Sequence, residues 1–334
     1  MKRLFHLLRY LLAGLLLFFA GFLIYATRPA LAPSRFPSQA ILHFSQFDWQ
    51  DSQHSSSLRV MTYNIGYASG LKNNQGAILT RDEVEKNLEE IAVTLQKQNP
   101  DLVFLQEVDF HSARSFDIDQ LKFLTEKLRM PYAAYAVTWN KNYVAWPYWP
   151  FSRHFGHIVS GQALLSRFPI REQTLLAFEK PPKNAFWYNW FYLDRIVQVL
   201  QLEVGSQLVS ACNVHLEAFD SATRIAQLEK LALNLKTSRG SWQIVAGDFN
   251  LDANAYQDST SPRAAERKLL EDFATENGLS WVGKEQDYQT VPSWKPQEWL
   301  DHIFYSKFEL KQSAVVSETT ASDHFPLQAE LDWE

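Results

Sequence analysis

From Leu58 onward, short apolar runs alternate with helical periodicities along the chain. Arg59-Val60-Met61-Thr62-Tyr63-Asn64 predicts a strand ending at an Asn and followed by Gly66. Thr80-Arg81-Asp82-Glu83 has the form of a capping box, and Val84, Leu88, Ile91 and Leu95 then keep one helical face. Asn99-Pro100-Asp101 stops that helix, and Leu102 to Leu105 predicts a buried strand running into Gln106-Glu107. Ile118, Leu121, Leu124 and Leu128 space a second helix, and Gln162 to Leu165 a short strand. Val197 to Val204 and Gln207 to His215 predict a hairpin turning at Gly205. A third helix fits Ile225, Leu228, Ala232 and Leu235. The run Gln243 to Ala246 then predicts a buried strand that breaks at Gly247 and places Asp248 and Asn250 two residues apart. If the extended conformation persists there, the two side chains point the same way and can hold a reacting oxygen; otherwise the strand ends in an Asx turn. Leu269, Leu270 and Phe273 mark a fourth helix before Gly278, and Leu300 to Tyr305 and Leu327 to Leu331 predict the last strands. Strands arrive both as hairpins and as helix-connected units, which predicts an α/β domain with mixed sheets.

Two regions break this pattern. Tyr132 to Phe155 carries Trp139, Tyr143, Trp146, Tyr148, Trp149 and Phe151 with Pro147 and Pro150, and shows no usable period. A second aromatic cluster runs from Phe186 to Tyr192. Both fit either a loop-rich core edge or an aromatic rim at a membrane interface or substrate mouth. At the N-terminus, Tyr10 to Ala26 is uncharged and apolar, long enough as a helix to span roughly 25 Å. Lys2, Arg3 and Arg9 precede it, which predicts a cytoplasmic N-terminus and an extracytoplasmic body, periplasm-facing if the cell is bacterial. Ala30-Leu31-Ala32 resembles a signal-cleavage site, but the apolar run is long for a signal peptide and Pro33 follows the site directly, so a retained single-pass anchor is the favoured reading. The resulting organisation is an anchor over 1–28, a juxtamembrane linker over 29–57 and a folded domain over 58–334. Within the linker, Ile41 to Trp49 is expected to pack back on the domain and Ser52 to Ser57 to be loose.

With 334 residues, 46% of them hydrophobic, the chain can bury a substantial core. Removing the basic first 28 residues leaves 28 basic against 37 acidic side chains, or −9. That balance disfavours a protein that coats nucleic acid through its whole surface. Cys212 is the only cysteine, so an intrachain disulfide is excluded.

Six predicted strands terminate in polar groups at or near their ends: Asn64, Glu107, Asn213 with His215, Asp248 with Asn250, Asp301, and Asp323 with His324. Burying one such group is costly unless it is solvated, paired or metal-bound, and six together suggest one convergent site. Carboxylate and amide oxygens without a Cys or His cluster suit Mg²⁺ or Mn²⁺ better than zinc. There is no P-loop, no Gly-x-Gly-x-x-Gly, no Gly-x-Ser-x-Gly and no His-Glu-x-x-His. The remaining chemistry suits hydrolysis of a phosphate ester.

Seven segments in order carry a resemblance: Met61 to Asn64, Asp101 to Glu107, Gly161 to Ile170, Asn213 to Leu216, Gly247 to Asn250, Leu300 to Ile303 and Ser322 to Leu327. Together they resemble the ordered motifs of the endonuclease/exonuclease/phosphatase superfamily, particularly its deoxyribonuclease and neutral sphingomyelinase branches. The resemblance implies a four-layer sandwich of two mixed β-sheets with helices outside. It also implies roles. Glu107, helped by Asn64, would hold Mg²⁺ with Asp323 near the metal. Asp248 and Asn250 would align the attacking water and the phosphate. His324 would contact the scissile phosphate, oriented by Asp301, and His215 would act on the leaving-group side. Arg195 and Asn213 would contact substrate. No Lys/Arg-rich insert near the motifs matches the inositol-polyphosphate branch. The expected activity is a Mg²⁺-dependent phosphodiesterase or phosphatase, membrane-anchored, with a lipid headgroup or related phosphoester as substrate. The alternatives are an extracytoplasmic nuclease and, from another class, a non-catalytic binding protein on the same fold.

Overall fold

The structure, a computed structural model, describes residues 2–47, 57–73, 75–236, 241–254, 263–286 and 288–334. Trp49 and Ser52 to Ser56, expected to pack back and to be loose respectively, lie outside the described residues.

Two sheets face one another. The first holds β1 (Gln39–His43), β2 (Ser57–Asn64), β3 (Leu102–Asp109), β4 (Tyr132–Val144), β5 (Gly156–Ser166), β12 (Phe308–Val315) and β13 (Leu327–Trp333), in the order β1-β4-β5-β3-β2-β13-β12. The second holds β6 (Ile170–Ala177), β7 (Ile196–Val204), β8 (Gln207–His215), β9 (Trp242–Asp248), β10 (Ser280–Trp281) and β11 (Asp301–Ser306), in the order β10-β11-β9-β8-β7-β6. Only β2 with β3 and β8 with β9 pair in parallel, so both sheets are mixed. Alternation along β2 and β3 divides their side chains between two cores. Val60, Leu102 and Phe104 meet Val197, Leu200 and Ile244 between the sheets. Met61, Tyr63, Val103 and Leu105 instead meet Val84, Leu88 and Ile91 of α2 (Arg81–Gln98) and Leu121 and Leu124 of α3 (Gln120–Leu128). On the far side, α5 (Ser221–Leu235) and α6 (Ala264–Asn277) contribute Leu228, Leu231, Leu270 and Phe273. The four layers match the expected sandwich.

Local signals explain most elements. Thr80 caps α2 by accepting from the Glu83 backbone while the Glu83 side chain accepts from Thr80, the reciprocal box read in the sequence. Gly278 closes α6 in the left-handed conformation.

The structure also departs from the expected pattern. Tyr132 to Val144 is a thirteen-residue strand, hidden because register shifts between Val137 and Trp139 and between Lys141 and Val144 break its alternation. The strands β1, β6 and β12 lie on sheet edges, where solvent on one side weakens the apolar signal. Part of the expected linker is therefore sheet: β1 pairs with β4, and Ala30, Leu31 and Phe36 pack on the outer core.

The N-terminal helix α1 (Lys2–Thr27) contains an 18-residue window of mean hydropathy 2.2 and is exposed except near its last turns. It is long and apolar enough to cross a membrane. Its C-terminal end docks on β4. Phe22 meets Tyr143 edge-on at 5.6 Å, Asn142 donates to the Tyr25 carbonyl, and Asn140 Oδ1 accepts from the Ala30 backbone at 2.7 Å.

Gly247 is the tightest point beneath the strand ends. Its φ is +150°, and a Cβ there would stand 2.0 Å from the Val214 carbonyl oxygen on β8. Gly247→Ala must push β9 off β8. We expect a loss of about 2–3 kcal/mol, seen in thermal unfolding as a fall of roughly 4–12 °C. An unchanged melting temperature would show that the two strands are not in contact there.

Candidate active site

Strand directions explain why the polar ends meet. The parallel pairing of β2 with β3 ends with Asn64 opposite Gln106, and β8 and β9 finish together, with His215 opposite Asp248. Antiparallel pairing brings strand beginnings to the same rim. Asp301 opens β11 opposite Asp248, and Asp323-His324 lead into β13, whose Leu327 sits opposite Thr62. The expectation of six strand endings is thus corrected: Asp301 and Asp323-His324 lie at strand starts.

The central group is Asp248, Asp301 and His324, with ligating atoms within 4.8 Å of one another and all three residues buried. His324 Nδ1 meets Asp301 Oδ2 at 2.9 Å. Burial works against the charged imidazole, but Asp301, Asp248 and Asp323 outweigh it and hold its pKa well above the usual value. His324 Nε2 lies 3.9 Å from Asp248 Oδ2, and His215 Nε2 lies 3.6 Å from the same oxygen. His215 goes the opposite way: burial, then Arg195 and His324, push it well below the usual value. The site therefore pairs a cationic imidazole with a neutral one. Burial raises Asp248 to about 6, with Asp301 adding to the shift and His324 opposing it.

Asn64 bridges the two sheets here. Its Nδ2 donates to Asp248 Oδ2 at 3.0 Å and its Oδ1 accepts from the Gly66 backbone at 3.1 Å. Both ends of the amide are engaged, and it faces Asp248 instead of Glu107. The extended conformation does not persist to Asn250, whose φ is +52°. Its backbone donates to Asp248 Oδ1 at 2.9 Å, an Asx turn, and its Nδ2 donates to the Leu216 carbonyl. Asn250 therefore locks the loop that orients Asp248, and its own Oδ1 accepts no hydrogen bond among the described residues.

A second pair of carboxylates lies alongside. Glu107 and Asp323 share one amide: Asn73 Nδ2 stands 3.0 Å from Glu107 Oε2 and 3.1 Å from Asp323 Oδ1. Burial, then repulsion from Asp323, raises Glu107 to about 7. Two carboxylates that share one amide, with Glu107 held partly protonated by burial, fit a hard cation, which would offset that cost. Asn73 lies in no sequence motif. It is brought in by two tight turns after β2, at left-handed Gly66 and Gly70, which no periodicity reveals.

Two predicted substrate contacts separate. Arg195 is buried near His215 and Glu107, with Nε and Nη1 finding no hydrogen-bond partner among the described residues and Glu217 Oε2 at 3.8 Å from Nε. Asn213 is not brought to the rim. It is fully buried between the sheets, donates to the Leu105 and Ala163 carbonyls and accepts from Gln106, which makes it a brace between layers.

Comparison with known proteins agrees with this geometry. The model of the Endonuclease/Exonuclease/phosphatase family matches residues 61–324. Among solved structures, an endonuclease/exonuclease/phosphatase from Beutenbergia cavernae is similar with a TM-score of 0.61 at 20% identity, covering 83% of this chain and 72% of that one. A mannosyl-6-phosphatase from Bacteroides thetaiotaomicron aligns with a TM-score of 0.58 at 20% identity, over 83% of this chain and 100% of its own. The human Nocturnin catalytic domain, with bound sulfate, aligns at 0.55 and 18% identity, over 89% and 98%. At these identities the likeness is one of fold. A comparison with curated proteins finds no match.

The raised Glu107 predicts a pH signature. An upward shift means that ionising Glu107 costs the metal-free fold stability as pH rises from the ordinary carboxylate range to about 7. Below about 7 a cation must compete with the proton, losing roughly tenfold in affinity per pH unit. Thermal unfolding should therefore show a large Mg²⁺-induced rise at pH 8, a small one at pH 5 and little at either pH in Glu107→Gln. An equal rise at both pH values in the wild type would place the cation elsewhere.

Proposed function

The chain belongs to the endonuclease/exonuclease/phosphatase family, whose members hydrolyse phosphoesters, and we propose that it is a membrane-anchored, Mg²⁺-dependent hydrolase of lipid-headgroup phosphoesters, facing out of the cytoplasm. The observation that carries the lipid reading is a cavity of about 240 Å³ beside Asn73. Tyr67 and Asn73 line it on the carboxylate side, and Arg153, His154 and Phe155 line it from the loop after β4. That loop begins just beyond the residues on which α1 docks, and it exposes Tyr148, Trp149 (74% exposed) and Phe151 (68% exposed). The second cluster, with Phe186, Trp187 and Trp190 exposed, lies beside it, since Tyr148 acts electrostatically on Tyr188. Aromatic side chains next to a membrane-crossing helix suit the lipid–water interface. A tethered site there sees its substrate at high effective concentration.

Each residue then has a task. Asp248, poised near neutral pH and held by Asn64 and the Asn250 backbone, accepts the proton of the attacking water. Cationic His324, fixed by Asp301, donates to a phosphoryl oxygen as charge develops there. Arg195, buried beside His215 and paired with Glu217, would add positive charge next to the phosphoryl group, and the Oδ1 of Asn250 can orient the water. Neutral His215 would act on the leaving-group side, moving a proton there. Glu107 and Asp323 would hold Mg²⁺, or Mn²⁺, which when bound offsets phosphoryl charge.

The test is hydrolysis by the full-length protein in detergent–lipid mixed micelles, against a phospholipid, a soluble sugar phosphate and DNA. Phospholipid turnover that stops with EDTA and returns with Mg²⁺ or Mn²⁺ is expected. DNA cleavage alone would instead establish the nuclease alternative, and binding without turnover of any of the three a non-catalytic role. A reporter fused after Glu334 should read out as extracytoplasmic. Release of a shortened chain beginning near Pro33 would contradict a retained anchor.

A further inference from the structure

Away from the catalytic rim, three segments bring two imidazoles onto one carboxylate. His111 follows β3, Asp117 follows the turn Ala113–Ser115, and His157 is the second residue of β5. His157 Nε2 lies 2.6 Å from Asp117 Oδ1, and His111 Nδ1 lies 3.2 Å from the same oxygen. The two rings are 4.9 Å apart and tilted by 30°. The backbone holds these positions. His111 and Val159 exchange hydrogen bonds in both directions, and the Asp117 backbone donates to the Ser112 carbonyl. All three side chains reach solvent, at 37%, 44% and 33% exposure for His111, Asp117 and His157, so an ion has a path in.

We propose that His111, Asp117 and His157 form a second metal site, selective for a zinc-class ion and distinct from the carboxylate site at the rim. Neutral imidazole nitrogens with one carboxylate suit Zn²⁺ and leave Mg²⁺ poorly served. Around a tetrahedral zinc with bonds of about 2.0–2.1 Å, neighbouring donor atoms stand roughly 3.3 Å apart. The His111–Asp117 spacing already meets that distance. His157 must open by less than ~1 Å, a shift its partly exposed side chain makes without moving the backbone. The ion takes over the role of the two N–H groups that face Asp117, and each ring keeps a proton on its other nitrogen. Three protein ligands leave a fourth position for water.

The ion's effect reaches the cavity wall. It ties the 111–117 loop to β5, and that loop carries Arg114. The Arg114 guanidinium pairs with Asp109 through two hydrogen bonds and lies 3.5 Å from the centre of the Tyr67 ring, which lines the cavity. Zinc here is a clamp on that wall, with no part in bond breaking.

Titration calorimetry with Zn²⁺ on the full-length protein in detergent, with Mg²⁺ in excess, tests this. We expect one tight zinc equivalent in the wild type and in Glu107→Gln, and its loss in His111→Gln and in His157→Gln. Zinc should raise the melting temperature of the wild type and not of either histidine variant, while all melt within a few degrees of one another without zinc. Should a histidine variant fail to fold, Asp117→Asn keeps the shape and removes the anionic ligand, and it should lose the same equivalent. No tight zinc equivalent in the wild type, an unchanged one in the His111/His157 double variant, or its loss in Glu107→Gln would overturn the proposal.

Discussion

The buried hydrogen bond from Asn64 to Asp248 joins the two sheets at the rim where the strands end. Acids gather on both sides of it: Asp301 beside Asp248, and Glu107 beside Asp323. Removing several carboxylates from water in one place is unfavourable unless positive charge or donors meet them. Every nearby feature answers that constraint. His324 stays cationic because Asp301 holds it, Asn73 lends one amide to two acids, and the buried charge of Arg195 acts on Glu107. The apolar layers on either side fix the rim so that these groups cannot drift apart.

The same constraint accounts for what could be read from the sequence. Asp248, Asp301 and His324 were legible because each follows or precedes an apolar run, and strand direction then carries them to one edge. The capping box at Thr80 and the hairpin at Gly205 were legible because their chemistry is local. Asn73 was not, since it arrives through left-handed turns with no periodic signal. Neither was the inward placement of Asn213, because a polar residue at a strand end reads the same whether it faces a site or braces a second sheet. In β4, alternation fails at its bulges, so a long strand looks like an aromatic loop.

Membrane attachment extends this arrangement outward. Asn142 holds the last turn of α1 on β4 and Asn140 holds the chain just after it, and the strand then leads into the exposed aromatic loop. One strand thus connects the proposed anchor, the interfacial aromatics and the wall of the cavity beside Asn73. A body attached in this way would keep its cavity near the lipid surface, whereas a free linker would let it tumble. The acidic balance of the body suits this, because attachment through the helix needs no basic surface.

The central claim is that Asp248 and His324 act on one transition state. Turnover and thermal unfolding of Asp248→Asn, His324→Gln and the double variant test it most directly. Asp248→Asn keeps the shape and gives up one accepted hydrogen bond, costing about 1–2 kcal/mol of stability, or roughly 2–8 °C. Each single variant should lose roughly 10²–10³ in rate. The double variant should lose much less than the product of the two, because the groups act as a unit. Near-wild-type turnover in Asp248→Asn, or two losses that simply multiply, would contradict the account.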